Sequence, residues 1–171
     1  MSTRMSSPAI VSVEQDHLDD LKPLWAALYD HQRAIAPQLR DREVPFDQAW
    51  EARQQIERQW LRTEPGSFVL AARTGGVFVG YALVRIRSGA GLAASWRFSD
   101  PIAELATLAV LPAFRRQGLG SALMDAVEDR LRTLDIADLV IGVIATNAEA
   151  TRFYERRGAV PFLTELIQRV G

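Results

Sequence analysis

The sequence predicts a single α/β domain, and three stretches of it do the predicting. Glu104–Val110 carries Leu105, Ala106, Leu108, Ala109 and Val110 in a nearly continuous apolar run, the pattern of a strand buried on both faces. After Pro112 the period changes. From Gly118 onward Leu119, Ala122, Leu123, Ala126, Val127, Leu131 and Leu134 fall on one helical stripe, with Asp125, Glu128, Asp129 and Arg132 off it. A second apolar strand at Asp138–Val143 comes after that helix, so the two strands are predicted to run parallel through a right-handed crossover. Upstream, Thr74-Gly75-Gly76 between two β-rich runs is a hairpin signal, which pairs those two strands antiparallel.

The remaining elements are read in chain order. Met1–Pro8 is polar and short and reads as a flexible tail, leaving residues 9–171 as the domain. Ala9–Val13 is a short strand. Asp16, Asp19 and Asp20 open a helix with Leu18, Leu21, Trp25 and Leu28 on one side, where Pro23 fits only in the first turn. Pro37 closes it, and Pro45-Phe46-Asp47 opens a second helix to about Leu61, with Trp50, Ile56 and Trp60 facing inward. Pro65-Gly66 ends that helix. Ser67–Arg73 and Val77–Arg87 form the hairpin, with Gly80 marking a bulge. Ser88–Asp100 is a long connection. Asn147–Arg157 is a short helix stopped by Gly158, and Phe162–Val170 is a last strand, giving the order β-α-α-β-β-β-α-β-α-β.

Composition removes several function classes. A chain of 171 residues with 48% apolar and 24% charged content folds around one core. A net charge of −1 offers no basic field for nucleic acid and no polybasic tract for a membrane. No apolar run reaches the roughly 20 residues of a membrane span. The absence of cysteine rules out thiolate nucleophiles and thiolate metal sites, and fits a cytoplasmic protein. His17 and His31 are too few for a histidine metal cluster, so no metal is expected.

Between strand and helix stands Arg115-Arg116-Gln117-Gly118-Leu119-Gly120-Ser121, a glycine turn at a helix N-terminus. Free N–H groups and the positive end of the helix dipole converge at such a turn, and glycine lets a phosphate come close. With the strand ending Leu108-Ala109-Val110-Leu111-Pro112 and the later segment Asn147…Phe153-Tyr154…Gly158, this turn resembles the signature of the GNAT superfamily of acyl-CoA-dependent N-acyltransferases. The motif-bearing part is about Glu104–Gly158, and the upstream helices and hairpin fit by topology alone. The resemblance implies a mixed, mostly antiparallel sheet with a central parallel strand pair that splays. It further implies that acetyl-CoA is the cosubstrate. Its pyrophosphate would lie on the backbone of Arg115, Arg116, Gln117, Gly118, Leu119, Gly120 and Ser121. Its pantetheine would lie along Leu108, Ala109 and Val110, with Asn147 either bonding that arm or capping its own helix.

The implied reaction is direct attack of an amine on a thioester in a ternary complex. An alkyl amine of pKa ~10.4 is protonated at neutral pH and must lose a proton first. Glu104, read as sharing one strand face with Ala106, Leu108 and Val110, matches the position of a general-base glutamate in some family members; otherwise it is a strand-end ion-pair partner. By resemblance, the Val110 N–H receives the charge developing on the thioester oxygen. Tyr154 matches the family tyrosine near the leaving sulfur, whose thiol pKa is ~8.5; otherwise it packs beside Phe153. Tyr29, His31, Phe46 and Trp50 are the candidate acceptor-lining residues, with Trp96 and Phe98 in the long loop. Asp41, Glu43, Asp47 and Asp100 are available to a cationic amine. The expected acceptor is a small-molecule amine, with a protein N-terminus, a longer acyl donor or a non-catalytic coenzyme-A sensor as rivals; a homodimer is compatible with this reading.

Overall fold

In a computed structural model the described residues are 8–92 and 95–170; residues 1–7 of the expected tail lie outside them. The chain runs through β1 (Ala9–Ser12), a 3-10 segment (Gln15–Leu21), α1 (Lys22–Ile35), a 3-10 turn (Pro37–Arg42), α2 (Phe46–Thr63), β2 (Phe68–Thr74), β3 (Val77–Arg87), β4 (Ile102–Val110), α3 (Leu119–Thr133), β5 (Leu139–Ile141) and α4 (Ala148–Glu155). The five strands form one sheet in the order β1-β2-β3-β4-β5, antiparallel throughout except for the parallel pair β4–β5. Gly75 and Gly76 both take positive φ, +55° and +82°, the requirement of the tight β2–β3 turn. Pro23 sits in the first turn of α1, where its missing N–H costs nothing.

The sheet has two covered faces. On one, the 3-10 segment, α1 and α2 bury Leu18, Leu21, Leu24, Trp25 and Trp50 against Val69, Ala71, Tyr81, Leu83 and Ala109. On the other, α3 presents Met124, Val127 and Leu131 to Ala82, Val84, Ala103 and Leu105, with Leu119 and Leu123 continuing the layer toward Val79. The inward stripe of α2 is Phe46, Trp50, Arg53, Glu57 and Trp60, a 4-3-4-3 spacing. Ile56 lies beside that stripe and not on it, so it is exposed, contrary to its expected inward place.

The sheet carries two irregularities, and they set the facing of its residues. Gly80 lies next to a register shift in β3, and a Cβ there would stand 3.1 Å from the Ala109 carbonyl oxygen and 3.2 Å from Leu123. In β4, Leu83 faces Thr107 while Val84 faces Leu105, so Ala106 is an extra residue, a β-bulge. The bulge changes which side chains share a face. Ala103 and Leu105 point to α3, whereas beyond the bulge Leu108 and Val110 do so and Ala109 turns to the α1/α2 side. Glu104 therefore does not share a face with Leu108 and Val110, because a strict period of two holds only where no residue is inserted.

The expected last strand is also absent. Residues 159–170 pair with no strand and are exposed, including Leu166 and Ile167. Phe162 rests on Trp96 and Phe98, with ring centroids 5.7 and 5.2 Å away, and Arg169 reaches Asp41 at 3.0 Å. Side-chain contacts with loops hold this segment, and no backbone ladder does.

Candidate active site

Strand β4 pairs with β5 only at Ala103, Glu104 and Leu105. Beyond Leu105 its β5-facing edge has no strand beside it. Alternation along the strand decides which amides point into this gap. The Ala103 N–H goes to the Asp138 carbonyl on the β5 side, 3.0 Å away, and the Leu111 N–H goes to Val79 of β3 at 2.9 Å. Counting by twos from Leu111 sends Ala109 and Thr107 to β3 and leaves the N–H groups of Val110 and Leu108 aimed into the gap. The bulge at Ala106 makes the two counts compatible. Without it, odd-numbered residues would present their amides there instead.

At the end of the gap the chain turns through Arg115–Gly118 into α3. Gly118 is the N-cap with φ +79°, and no side chain caps the helix, so the first-turn N–H groups of Leu119, Gly120 and Ser121 have no capping side chain. A Cβ on Gly118 would meet nothing within 4 Å, so its space above the turn is open, and the positive φ is what demands glycine. A Cβ on Gly120 would sit 3.8 Å from Phe153, an ordinary contact. Arg116 also takes a positive φ of 59°. Arg115 donates from Nε to the Val110 carbonyl at 3.0 Å, closing the end of the open edge, and Gln117 donates to Ala113 at 2.9 Å.

Helix α4 covers the opposite lip. Asn147 accepts from the Ala150 N–H at 3.1 Å and so caps this helix. Arg157 ties its end to α3 through Asp125 at 2.6 Å and Glu128 at 2.7 Å. Held this way, Phe153 and Tyr154 stack edge to face at 5.1 Å and pack against the cluster containing Leu105, with Leu108 and Ile141 beside them. Burial pushes the Tyr154 phenol up to about 12.

Glu104 lies on the other side of the sheet. Its Oε2 receives Arg87 Nε at 2.6 Å and lies 3.9 Å from Arg85, which itself pairs with Glu64; Oε1 makes no hydrogen bond among the described residues. Near the end of β5, a cavity of about 220 Å³ is lined by Tyr29, Gln32, Arg33, Ala36, Leu39, Arg42, Glu43 and Ile144. Tyr29 donates to the Val44 carbonyl at 2.5 Å, and Arg33 pairs with Glu43, holding that carboxyl below its usual range. Of the four aromatic candidates only Tyr29 lines this cavity. Trp50 is core, 5.7 Å from Trp25, and Phe46 packs between Trp25 and Tyr29. His31 is half-buried on α1 and lines no part of the cavity. The four acids are partnered: Asp41 with Arg169, Glu43 with Arg33, Asp47 with Lys22, and Asp100 with the Gly89 N–H.

Sequence reasoning passed over the charged pair beneath the bulge. Glu57 is 1% exposed and accepts from Arg53 Nε at 2.6 Å; Arg53 Nη2 reaches the Ala106 carbonyl at 3.1 Å and the Thr107 hydroxyl. The signal was two charged residues four apart on the inward stripe of an amphipathic helix.

The family described as the acetyltransferase (GNAT) family matches residues 25–159 of this chain. N-alpha-acetyltransferase 60 of Xenopus tropicalis is 32% identical over 101 residues, covering 53% of this chain and 42% of that protein. The ribosomal protein bS18-alanine N-acetyltransferase of Escherichia coli (strain K12) is 43% identical over 56 residues, 33% of this chain and 38% of that protein. The matches thus span less than half of either curated relative. Among solved structures, aminoglycoside N-acetyltransferase AAC(6')-Iy in complex with CoA superimposes with a TM-score of 0.70 at 19% identity, over 99% of both chains, which shows a shared fold.

Proposed function

The chain belongs to the GNAT acetyltransferase family, and on that premise we propose that it transfers an acetyl group from acetyl-CoA to a primary amine by direct attack. The observation that carries this is the juxtaposition of an open β4 edge, with the Leu108 and Val110 amides aimed into it, and an uncapped α3 N-terminus behind the Gly118 turn. The residues present fit the cosubstrate. An extended pantetheine arm needs unpaired strand amides, and a pyrophosphate needs free helix N–H groups with no Cβ in the way. When bound, acetyl-CoA supplies an activated acyl group on a thiol leaving group.

The protein's own groups then have defined tasks. The amides of Arg115, Arg116, Gln117, Gly118, Leu119, Gly120 and Ser121 hold the phosphates, and Asn147, while capping α4, keeps its side-chain NH₂ for the pantetheine. The Val110 N–H stabilises negative charge as it builds on the thioester oxygen. Glu104 presents Oε1 to take the amine's proton, directly or through water, while Arg87 and Arg85 fix Oε2. Tyr154, on the α4 side, donates its proton to the departing thiolate. Acid and base thus stand on opposite sides of the sheet, one to each side of the gap. The acceptor approaches from the α1/α2 side of the sheet, where Glu104 lies, and the proteins named for aminoglycoside and ribosomal-protein acetylation support either a small amine or a protein amino group.

The test is free-thiol release from acetyl-CoA across a panel of amines, amino acids and peptides, paired with thermal shift. Acetyl-CoA is expected to raise the melting temperature and at least one acceptor to release thiol. A shift without release from any acceptor would favour a coenzyme-A sensor, and no shift at millimolar acetyl-CoA would overturn the cosubstrate.

A further inference from the structure

The β4 bulge decides which backbone amides face the gap, and one side chain outside that gap grips it. Arg53 of α2 crosses to β4 and donates to the carbonyl of Ala106, the inserted residue, and to the hydroxyl of Thr107, which is buried next to it. Glu57, one turn along α2, holds the other side of the same guanidinium at 2.6 Å, and the Trp60 ring lies 5.3 Å from it. Tyr81 fills the floor, fully buried, and its hydroxyl has no hydrogen-bond partner among the described residues. A charged pair in this place is costly. Burial alone pushes the Glu57 carboxyl above its ordinary range, and apolar side chains of like volume would pack the same space without desolvating two charges. What apolar residues cannot do is hydrogen-bond the bulge: the planar guanidinium bonds both of its groups from Nη2 while its Nε stays on Glu57.

We propose that Arg53, oriented by Glu57, is a positioning residue for acyl transfer: by clamping the bulge at Ala106–Thr107 it fixes the Leu108 and Val110 amides in the gap. This rests on the acetyltransferase reading, because those amides matter only if a thioester lies against them. Arg53 touches no substrate in this role. It acts through the backbone, on the far side of the sheet from the phosphate turn.

The experiment compares Arg53→Met, Arg53→Lys and Thr107→Val with the wild type. Amide hydrogen exchange over residues 104–111 in the ligand-free protein reads the clamp without any need for activity, and Arg53→Met is expected to accelerate it there while leaving β2 unchanged. Steady-state kinetics is expected to show kcat lowered about 10- to 100-fold, below the loss from deleting an oxyanion donor outright, with KM for acetyl-CoA rising by a smaller factor because the same amides take the pantetheine. Arg53→Lys keeps the charge but has one nitrogen where arginine uses two, Nε on Glu57 and Nη2 on the bulge, so it is expected to resemble Arg53→Met. If Arg53→Met fails to fold, Thr107→Val carries the test, with a kcat loss of about 3- to 10-fold expected from removing one of the two bonds. Unchanged exchange, unchanged kcat, or full rescue by lysine would each overturn the clamp. If the wild type itself releases no thiol, the acetyltransferase reading fails and the role in acyl transfer fails with it, while the exchange data still decide whether Arg53 holds the bulge.

Discussion

Tyr154, like any phenol, carries its proton at neutral pH, and burial against Phe153 and the α3 layer pushes it further up, to about 12. A leaving thiolate of pKa ~8.5 accepts a proton from such a group only when the transfer is concerted with bond breaking, so the hydroxyl has to stand at the sulfur. Tyr154→Phe keeps the ring and its packing. It is expected to lower kcat about 100-fold and leave KM for acetyl-CoA nearly unchanged in steady-state assays; an unchanged kcat would return Tyr154 to a packing role. Glu104 is proposed to act in the opposite sense, taking a proton where Tyr154 gives one. Glu104→Gln keeps the shape and removes the carboxylate, so kcat is expected to fall about 100-fold while acetyl-CoA still raises the melting temperature. An unchanged kcat would leave the carboxylate only as the partner of Arg87 and Arg85 that the structure displays.

Helix α3 carries the proposed phosphate turn and part of the core together. Its N-cap, Gly118, sits at φ +79°, a conformation that an L side chain adopts at a cost of about 1 kcal/mol or more. Its apolar stripe fixes the helix against the sheet through Leu123, Met124 and Val127, so the first turn points its amides at a rigid place. Position 120 separates the two functions. A Cβ there only touches Phe153, so Gly120→Glu is expected to fold, and an acid in the first turn even favours the helix dipole. The same carboxylate would repel a pyrophosphate. Thermal scans are therefore expected to show an unchanged melting temperature without ligand and no shift with acetyl-CoA. A retained shift would move the phosphates away from this turn.

Over the molecule as a whole, the exposed large apolar side chains among the described residues concentrate after α4. Val160, Leu163, Leu166, Ile167 and Val170 all face outward, although the sheet edge at β5 carries only a three-residue strand. Exposed positions that touch little contribute little to stability, so Leu166→Glu is expected to change unfolding free energy by less than about 0.5 kcal/mol in chemical denaturation. A larger loss that grows with protein concentration would mean that a second copy covers this segment. Among the described residues no helix is long and apolar enough to cross a membrane.

The sequence by itself determined the helices, the hairpin, the parallel β4–β5 pair and the glycine turn, because each rests on local period, on proline or on the positive φ of glycine. It also carried the family, since the turn and the Asn147–Gly158 segment are contiguous motifs. Tertiary structure alone decided the rest. The bulge at Ala106 is invisible in an apolar run, yet it reverses the facing of every residue after it and separates Glu104 from Leu108 and Val110. The clamp from Arg53 and Glu57 spans 53 positions of sequence, and no local pattern encodes a hydrogen bond across that distance. Phe162–Val170 has the composition of a strand, but a strand exists only where another backbone stands beside it. The open edge of β4, where the cosubstrate is proposed to lie, is likewise a property of two strands parting after three paired residues.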